Sequence, residues 1–374
     1  MKAIINGKII HNHQILTDHI LFFDKQIVSI NKSFPTVECE VIDAQGLYVS
    51  AGFVDIHIHG SGGADVMDAT FEALETISLA LLRSGTTSWV ATTMTMSQEK
   101  IINALGNIVA HKEDVGGAKI RGVHLEGPFL NPSKSGAQDA GFMQEPNLKL
   151  IAPFAEHIRL ITIAPEMSGA EEFIKKTKEL YGHIVLSIGH SEASYEEAAR
   201  SFGWGVSHAT HLFNAMPPWR HRAPGIVGAV FDSDVTADII ADLVHTHPSI
   251  LKSVVKLKKE RLILITDAMR AGCMRDGIYE LGGQVVNVSN NRATLANGVL
   301  AGSVLRLNEA VQNITSCTEA TLVEAIEMVT KLPAKLLGIP AGELSAGYDA
   351  DIVLFDEKIS IKSVYVNGQL KYHV

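Results

Sequence analysis

The stretch GFVDIHIHG at 52–60 sets the reading of the chain. Phe53, Val54, Ile56 and Ile58 form an apolar run that carries His57 and His59 at alternating positions and then gives way to the glycine-rich GSGGAD at 60–65. Side chains two apart on a strand face the same side, so a strand ending here presents two imidazoles together. Spacing alone is a weak signal. With 16 histidines in 374 residues, composition supplies roughly 0.7 such pairs by chance, and His11/His13 and His245/His247 also qualify. Setting separates the 57/59 pair: it closes an apolar strand, whereas His11/His13 lies in a polar hairpin.

Working outward, the same grammar recurs. Apolar runs follow at 86–93 (TTSWVATT), 120–127 (IRGVHLEG), 157–165 (HIRLITIAP), 183–190 (HIVLSIGH), 204–211 (WGVSHATH), 234–242 (DVTADIIAD) and 261–268 (RLILITDA), with helix-like stretches such as 71–83 and 98–111 between them. Strands alternating with helices over about 290 residues predict an α/β fold, a TIM-like (β/α)8 barrel whose usual size is ~250 residues. Both ends of the chain read differently, as short strands with turns: 2–5, 8–10, 20–23 and 26–30 at one end, 351–355 and 363–366 at the other. The expected organisation is a small β-sandwich built from residues 1–50 and 343–374 around a catalytic barrel of 51–342.

Composition excludes several classes. Hydrophobic residues at 46% and charged residues at 20% are ordinary for a globular chain with a sizeable core. A formal net charge of −9 repels polyanions on average, arguing against nucleic acid or an anionic membrane as partner. Any phosphate must therefore meet a local basic site. Cys39, Cys273 and Cys317 are odd in number and form no CxxC pair, which suits a reducing cytoplasm better than a disulfide framework. Polar residues and histidines interrupt the first twenty positions before a signal-peptide core can form, and no later run approaches the roughly 20 apolar residues of a membrane span.

Barrel enzymes place their catalytic groups at the carboxyl ends of strands, and here those ends carry His57, His59, Glu126, His190, His211 and Asp267. Each has a bland reading singly: Glu126 before Gly-Pro as a turn cap, a histidine after a strand as hydrogen-bonded structure, Asp267 as the N-cap of a following helix. Together, one carboxylate and several imidazoles suit Zn2+ or another borderline divalent ion with an open position for water. A carboxylate beside it, Asp267, can take a proton from that water and deliver it to a leaving amine. The run PPWRHRAPG packs Arg220, His221 and Arg222 together just beyond His211. A planar guanidinium fork matches phosphate, against the alternative of a solvated basic loop.

The motifs His57-Ile-His59, HLEGPF at 124–129, GHS at 189–191, HLFNAM at 211–216, TDA at 266–268 and LAGS at 300–303 resemble those of the N-acetylglucosamine-6-phosphate deacetylase family in the amidohydrolase superfamily. The likeness runs over nearly the whole chain. It implies a homodimer acting on a small amino-sugar phosphate, with Glu126, His190 and His211 as principal metal ligands and His57 and His59 completing a second position. Zn2+ is the expected ion, with Fe2+, Mn2+ and Co2+ as alternatives, at one or two per chain. Asp267 becomes the proton acceptor and donor. Substrate contacts fall on Ala137, Gln138, Asn214, Ala215, Leu300, Ala301 and Gly302, and phosphate contacts on Arg222 and His245. Two departures stand out. Gln138 replaces the histidine many members use to bond the acetyl carbonyl, and the segment around His245 lacks the family's common glycine, which favours Arg222 over His245 as the phosphate residue. An epimeric N-acetylgalactosamine 6-phosphate, another amide, or a non-catalytic sugar-phosphate sensor on the same fold stay open as rivals.

Overall fold

The computed structural model describes residues 1–33 and 38–374. Its centre is an eight-stranded parallel sheet: β1 (Phe53–Ile58), β2 (Thr86–Thr93), β3 (Lys119–Glu126), β4 (Ile158–Ile163), β5 (Val185–Ile188), β6 (Val206–Ala209), β7 (Thr236–Ile240) and β8 (Leu262–Ile265), each pairing with the next in chain order. Every residue of β1, β2, β5 and β8 is buried, as strands covered by helices on one side and barrel interior on the other must be. The helices are set by their caps and stripes. Thr70 and Ser97 accept from Ala73 N and Lys100 N to start Phe71–Leu81 and Gln98–His111, whose Leu74, Ile77, Ile101, Leu105 and Ile108 face the core. The helix expected over 71–83 ends at Leu81 and passes through a tighter turn, 82–84, to Gly85 at φ 80°, the left-handed C-cap that glycine allows.

Closure between β8 and β1 uses three devices. At the upper end, Ala268 bridges Ile58 on one side and Ser303 on the other. In the middle, the buried Asp55 of β1 accepts Thr266 Oγ1 at 2.6 Å. Lower down the strands part, and Met328–Val329 wedge between them, with Val54 N donating to Val329 O and Leu264 N to Met328 O.

The ends of the chain form two further sheets. One has the order 27–31, 20–23, 2–5, 40–43; the other, 369–373, 361–366, 352–355, 48–51, 8–11, 14–16, interleaves strands from both termini. Ile4, Leu21, Phe23 and Ile27 of the first meet Ile9, Val49, Ile352 and Leu354 of the second in a core of their own, the packing of a sandwich. Tyr48–Ala51 runs through Gly52 directly into β1, tying this layer to the first site-bearing strand. One element departs from the expected alternation: an antiparallel three-stranded sheet, Gly277–Leu281, Gln284–Ser289 and Arg292–Leu295, follows β8. It brings Leu281 and Val286 against Met94, Met96 and Met269, above the mouth. No helix among the described residues is long and apolar enough to cross a membrane.

Candidate active site

Six side chains converge because six backbone positions end their strands at one level. His57 lies in β1 and His59 one residue beyond it, Glu126 ends β3, and His190, His211 and Asp267 each sit two residues past β5, β6 and β8. The last three have φ of 46°, 30° and 48°, so the chain enters the left-handed region as it leaves the strand. Asp267 is no helix cap: its N–H donates to His57 O, and its carbonyl accepts from Ser303 N.

Glu126 is the hub. Its Oε1 lies 3.1 Å from His211 Nε2, 3.2 Å from His190 Nε2 and 3.3 Å from His57 Nε2, and Oε2 lies 3.2 Å from His59 Nε2. Asp267 Oδ1 faces His59 Nε2 at 3.2 Å and His57 Nε2 at 3.4 Å. Two groups able to hold a metal result, His57–His59–Glu126 and Glu126–His190–His211, sharing the one carboxylate. The fit can be tested on the donors themselves. His190 Nε2 and His211 Nε2 stand 3.1 Å apart, while His57 Nε2 is buried without a hydrogen-bond partner. Four donors about 2.05 Å from a tetrahedral ion lie roughly 3.3 Å from one another, which is the spacing seen. Imidazole and carboxylate are the donor types for a borderline divalent ion. His190 Nδ1 donates to Lys134 O at 2.8 Å, the support that turns the lone pair of the other nitrogen inward.

Burial resists ionisation of Glu126 and Asp267, but the charge and hydrogen bonds of the surrounding histidines outweigh it. The carboxyl of Glu126 is held well below its ordinary range and that of Asp267 is lowered. Burial also acts against charge on His59, where the Asp267 and Glu126 carboxylates prevail and raise it. Below this ring, His124 packs edge-on against His57 at 4.5 Å and is pushed well below the histidine range by burial and by His57.

A cavity of about 230 Å³ opens over these groups, smaller than most ligand clefts. Ala137, Gln138, Asn214, Ala215, His245, Leu300 and Gly302, read from the sequence as substrate contacts, line it together with Met94, Leu281 and Val299. Gly302, at φ 61°, lets its segment pass so close to Asp267 that a Cβ would stand 3.1 Å from the Asp267 carbonyl oxygen.

Three expectations change. Arg222 is exposed and does not line the cavity, because Arg220 and Ala223 close a tight turn that carries the basic run outward. His245 does line it, with Nδ1 held at 2.6 Å by Asp242 Oδ2, so the order of the two phosphate candidates reverses within this chain. Ala301 is fully buried beneath the small antiparallel sheet, its N–H donating to Ala293 O, rather than facing the cavity. Gln138 also differs in its partners: its Nε2 donates to Glu126 Oε2 and its Oε1 accepts from Thr95 N, each at 2.7 Å. The amide is therefore already engaged with the hub carboxylate. Asp55 was missed; its place two residues before His57, in phase with the inward face, was the available signal.

A parallel barrel that gathers four histidines, a glutamate and an aspartate at its carboxyl mouth belongs to the hydrolases that work through a divalent ion. The chain is a member of the amidohydrolase family, which matches residues 48–371. It is 36% identical over 358 residues to the N-acetylglucosamine-6-phosphate deacetylase of Lysinibacillus sphaericus, covering 93% of this chain and 92% of that one. It is 33% identical to the N-acetylgalactosamine-6-phosphate deacetylase of Escherichia coli O157:H7, covering 95% of each. The crystal structure of N-acetylglucosamine-6-phosphate deacetylase from Pasteurella multocida superposes with a TM-score of 0.94 at 29% identity, over 99% of both chains.

Proposed function

We propose that this hydrolase removes the acetyl group of N-acetyl-D-glucosamine 6-phosphate, giving D-glucosamine 6-phosphate and acetate. The observation that carries the reading is Asp267 Oδ1 at 3.2 Å from His59 in a small cavity whose floor is the Glu126 hub. In this reading Glu126, His190 and His211 hold the principal ion and His57 and His59 complete a second position. Zn2+ is the proposed metal, Fe2+, Mn2+ or Co2+ being alternatives for the same donors, at one or two per chain. When bound, it polarises the acetamido carbonyl and acidifies a water. Asp267 takes the proton as the water oxygen bonds to the carbonyl carbon. It then returns that proton to the amide nitrogen as the C–N bond breaks, so the sugar leaves as a neutral amine. Asn214, the Ala137–Gln138 turn, Leu300 and Gly302 orient the sugar, and His245, braced by Asp242, faces its phosphate.

Arg222 fits the same picture if the active form is a homodimer, in which an outward basic turn reaches a neighbouring subunit's cavity. The division into a sandwich of 1–50 and 343–374 and a barrel of 51–342, and a cytoplasmic location, belong to this proposal. The E. coli relative that acts on the galacto epimer supports a second reading with the same chemistry. A substrate panel of both 6-phosphates and unphosphorylated N-acetylglucosamine, assayed for amine release with metal content measured in parallel, tests both. Turnover of neither phosphate by metal-replete protein would refute the function.

A further inference from the structure

We propose that Asp238 is a positioning residue for His211, braced by His208. The inference rests on reading His211 as a metal ligand, and starts from a difference between two neighbouring rings. His190 is oriented through its own side chain, by the bond from Nδ1 to Lys134 O. His211 Nδ1 is buried with no hydrogen-bond partner among the described residues. Histidines that serve as ligands are normally aimed by a bond at the second nitrogen, so the aim of His211 has to come from its backbone.

Asp238 supplies it. This residue of β7 is fully buried, and its Oδ1 accepts the backbone N–H of His211. Its main-chain carbonyl accepts the next N–H, that of Leu212, at 2.9 Å. The two bonds bracket a residue held at φ 30°, a conformation that persists only where surroundings over-determine it. The other carboxylate oxygen, Oδ2, accepts from His208 Nε2 at 3.0 Å, and His208 Nδ1 meets Thr236 Oγ1 at 2.7 Å. Thus one fully buried carboxylate joins both histidines of the HATH turn, 208 and 211. An Asp–His pair with no exposure at either side chain is a poor source of stability, since an apolar pair of similar volume commonly does as well or better. Its use lies in fixing direction.

The test measures Zn2+ affinity by competition with a chromophoric chelator, alongside thermal unfolding. Loss of an outer support of this kind weakens metal binding by roughly 10- to 100-fold, and that is the effect expected for Asp238→Ala. Asp238→Asn keeps an acceptor for His211 N and should stay within about threefold, the His208 ring switching tautomer to accept from the amide. Because the alanine variant leaves His208 Nε2 buried and unpaired, a second variant combines Asp238→Val with His208→Leu. It should unfold at or above the parent temperature and still bind Zn2+ at least about 10-fold more weakly. A folded Asp238→Ala or double variant with parental Zn2+ affinity would overturn the proposal. His211→Ala distinguishes the underlying reading: if it too leaves Zn2+ binding intact, His211 is no ligand and both fail; if it abolishes binding while the Asp238 variants do not, only the positioning role fails.

Discussion

Asp267→Asn probes the chemistry most directly, because the structure isolates proton transfer from everything else the residue does. Its main chain is fixed independently of the side chain, by the His57 carbonyl and the Ser303 N–H. Asn is isosteric and can turn its carbonyl oxygen toward His57 and His59, 3.4 and 3.2 Å away, so fold and metal content should survive. What an amide cannot do is take a proton from water and return it to an amine. One acid-base role contributes typically 10²–10⁴-fold; with both roles on one carboxylate, the expected fall in kcat is at least about 10⁴-fold, or roughly 5 kcal/mol of transition-state stabilisation. Amine release under saturating substrate reads kcat, elemental analysis reads the metal, and a melt reads the fold. Near-parental kcat with metal bound would refute the proton shuttle. A change confined to KM would reduce Asp267 to a substrate contact, and loss of the metal would reclassify it as an essential ligand.

Metal-free protein prepared with a chelator should melt lower than the replete form, with a Tm that rises with added Zn2+ as ligand linkage requires; full activity at a single ion per chain would sink the two-ion reading. Arg222→Ala should lower kcat/KM for the phosphorylated sugar while leaving the unphosphorylated one unchanged, and His245→Asn should do the same from within the chain. Equal losses on both sugars would remove the phosphate assignment. Burial lifts the Asp55 carboxyl to about 7 against its hydrogen bonds from Thr266 and His57 N, so between pH 3.8 and about 7 the folded protein holds a proton that the unfolded chain has released. That contribution to stability is fully present below the unfolded value of 3.8 and is lost as pH rises to about 7, on the order of 4 kcal/mol. Urea unfolding of metal-free protein should show this decline in the parent and a flatter one in Asp55→Asn; parallel pH profiles would count against a protonated Asp55.

How much of the site could be read in advance depended on whether backbone geometry or neighbours decide a side chain's direction. His57 and His59 obey the period of a strand, so their shared face followed from spacing once the apolar run marked a strand, and Glu126, His190, His211 and Asp267 followed from the rule that barrel chemistry sits at strand ends. The helix at 98–111 was legible as a helix-like stretch between two apolar runs, and the Ser97 cap that starts it is a feature of the fold. Arg222 and His245 had no such rule. Both lie in loops, where direction is set by the Arg220–Ala223 turn in one case and by Asp242 in the other, and neither partnership shows in the order of residues. Gln138 stands where the resemblance puts a histidine bonding the acetyl carbonyl, yet its amide donates to Glu126, twelve positions away and brought close by the return of the loop. The antiparallel sheet at 277–295 did carry a signal, the hairpin turns Gly282-Gly283 and Asn290-Asn291, which the regular β/α rhythm on either side obscured.

The backbone around the mouth explains why the barrel needs these supports. His190, His211 and Asp267 are non-glycine residues at positive φ, a state costing of order 1–3 kcal/mol each, and all three carry a proposed catalytic or metal-facing side chain. Glycine would relieve the strain but would also remove the group the turn exists to aim. Each strained position is instead held from a different direction: His190 by Asn131 N and Lys134 O, His211 by Asp238, and Asp267 by His57 on β1 and Ser303 beyond β8. The seam between β8 and β1 thereby does two things at once. It closes the barrel through Ala268, and it presses Asp267 against the His57–His59 pair, so the weakest join in the sheet is also where the proposed proton carrier meets the metal-facing ring. A sequence relaxed at these three turns would gain stability and lose the alignment on which the chemistry depends.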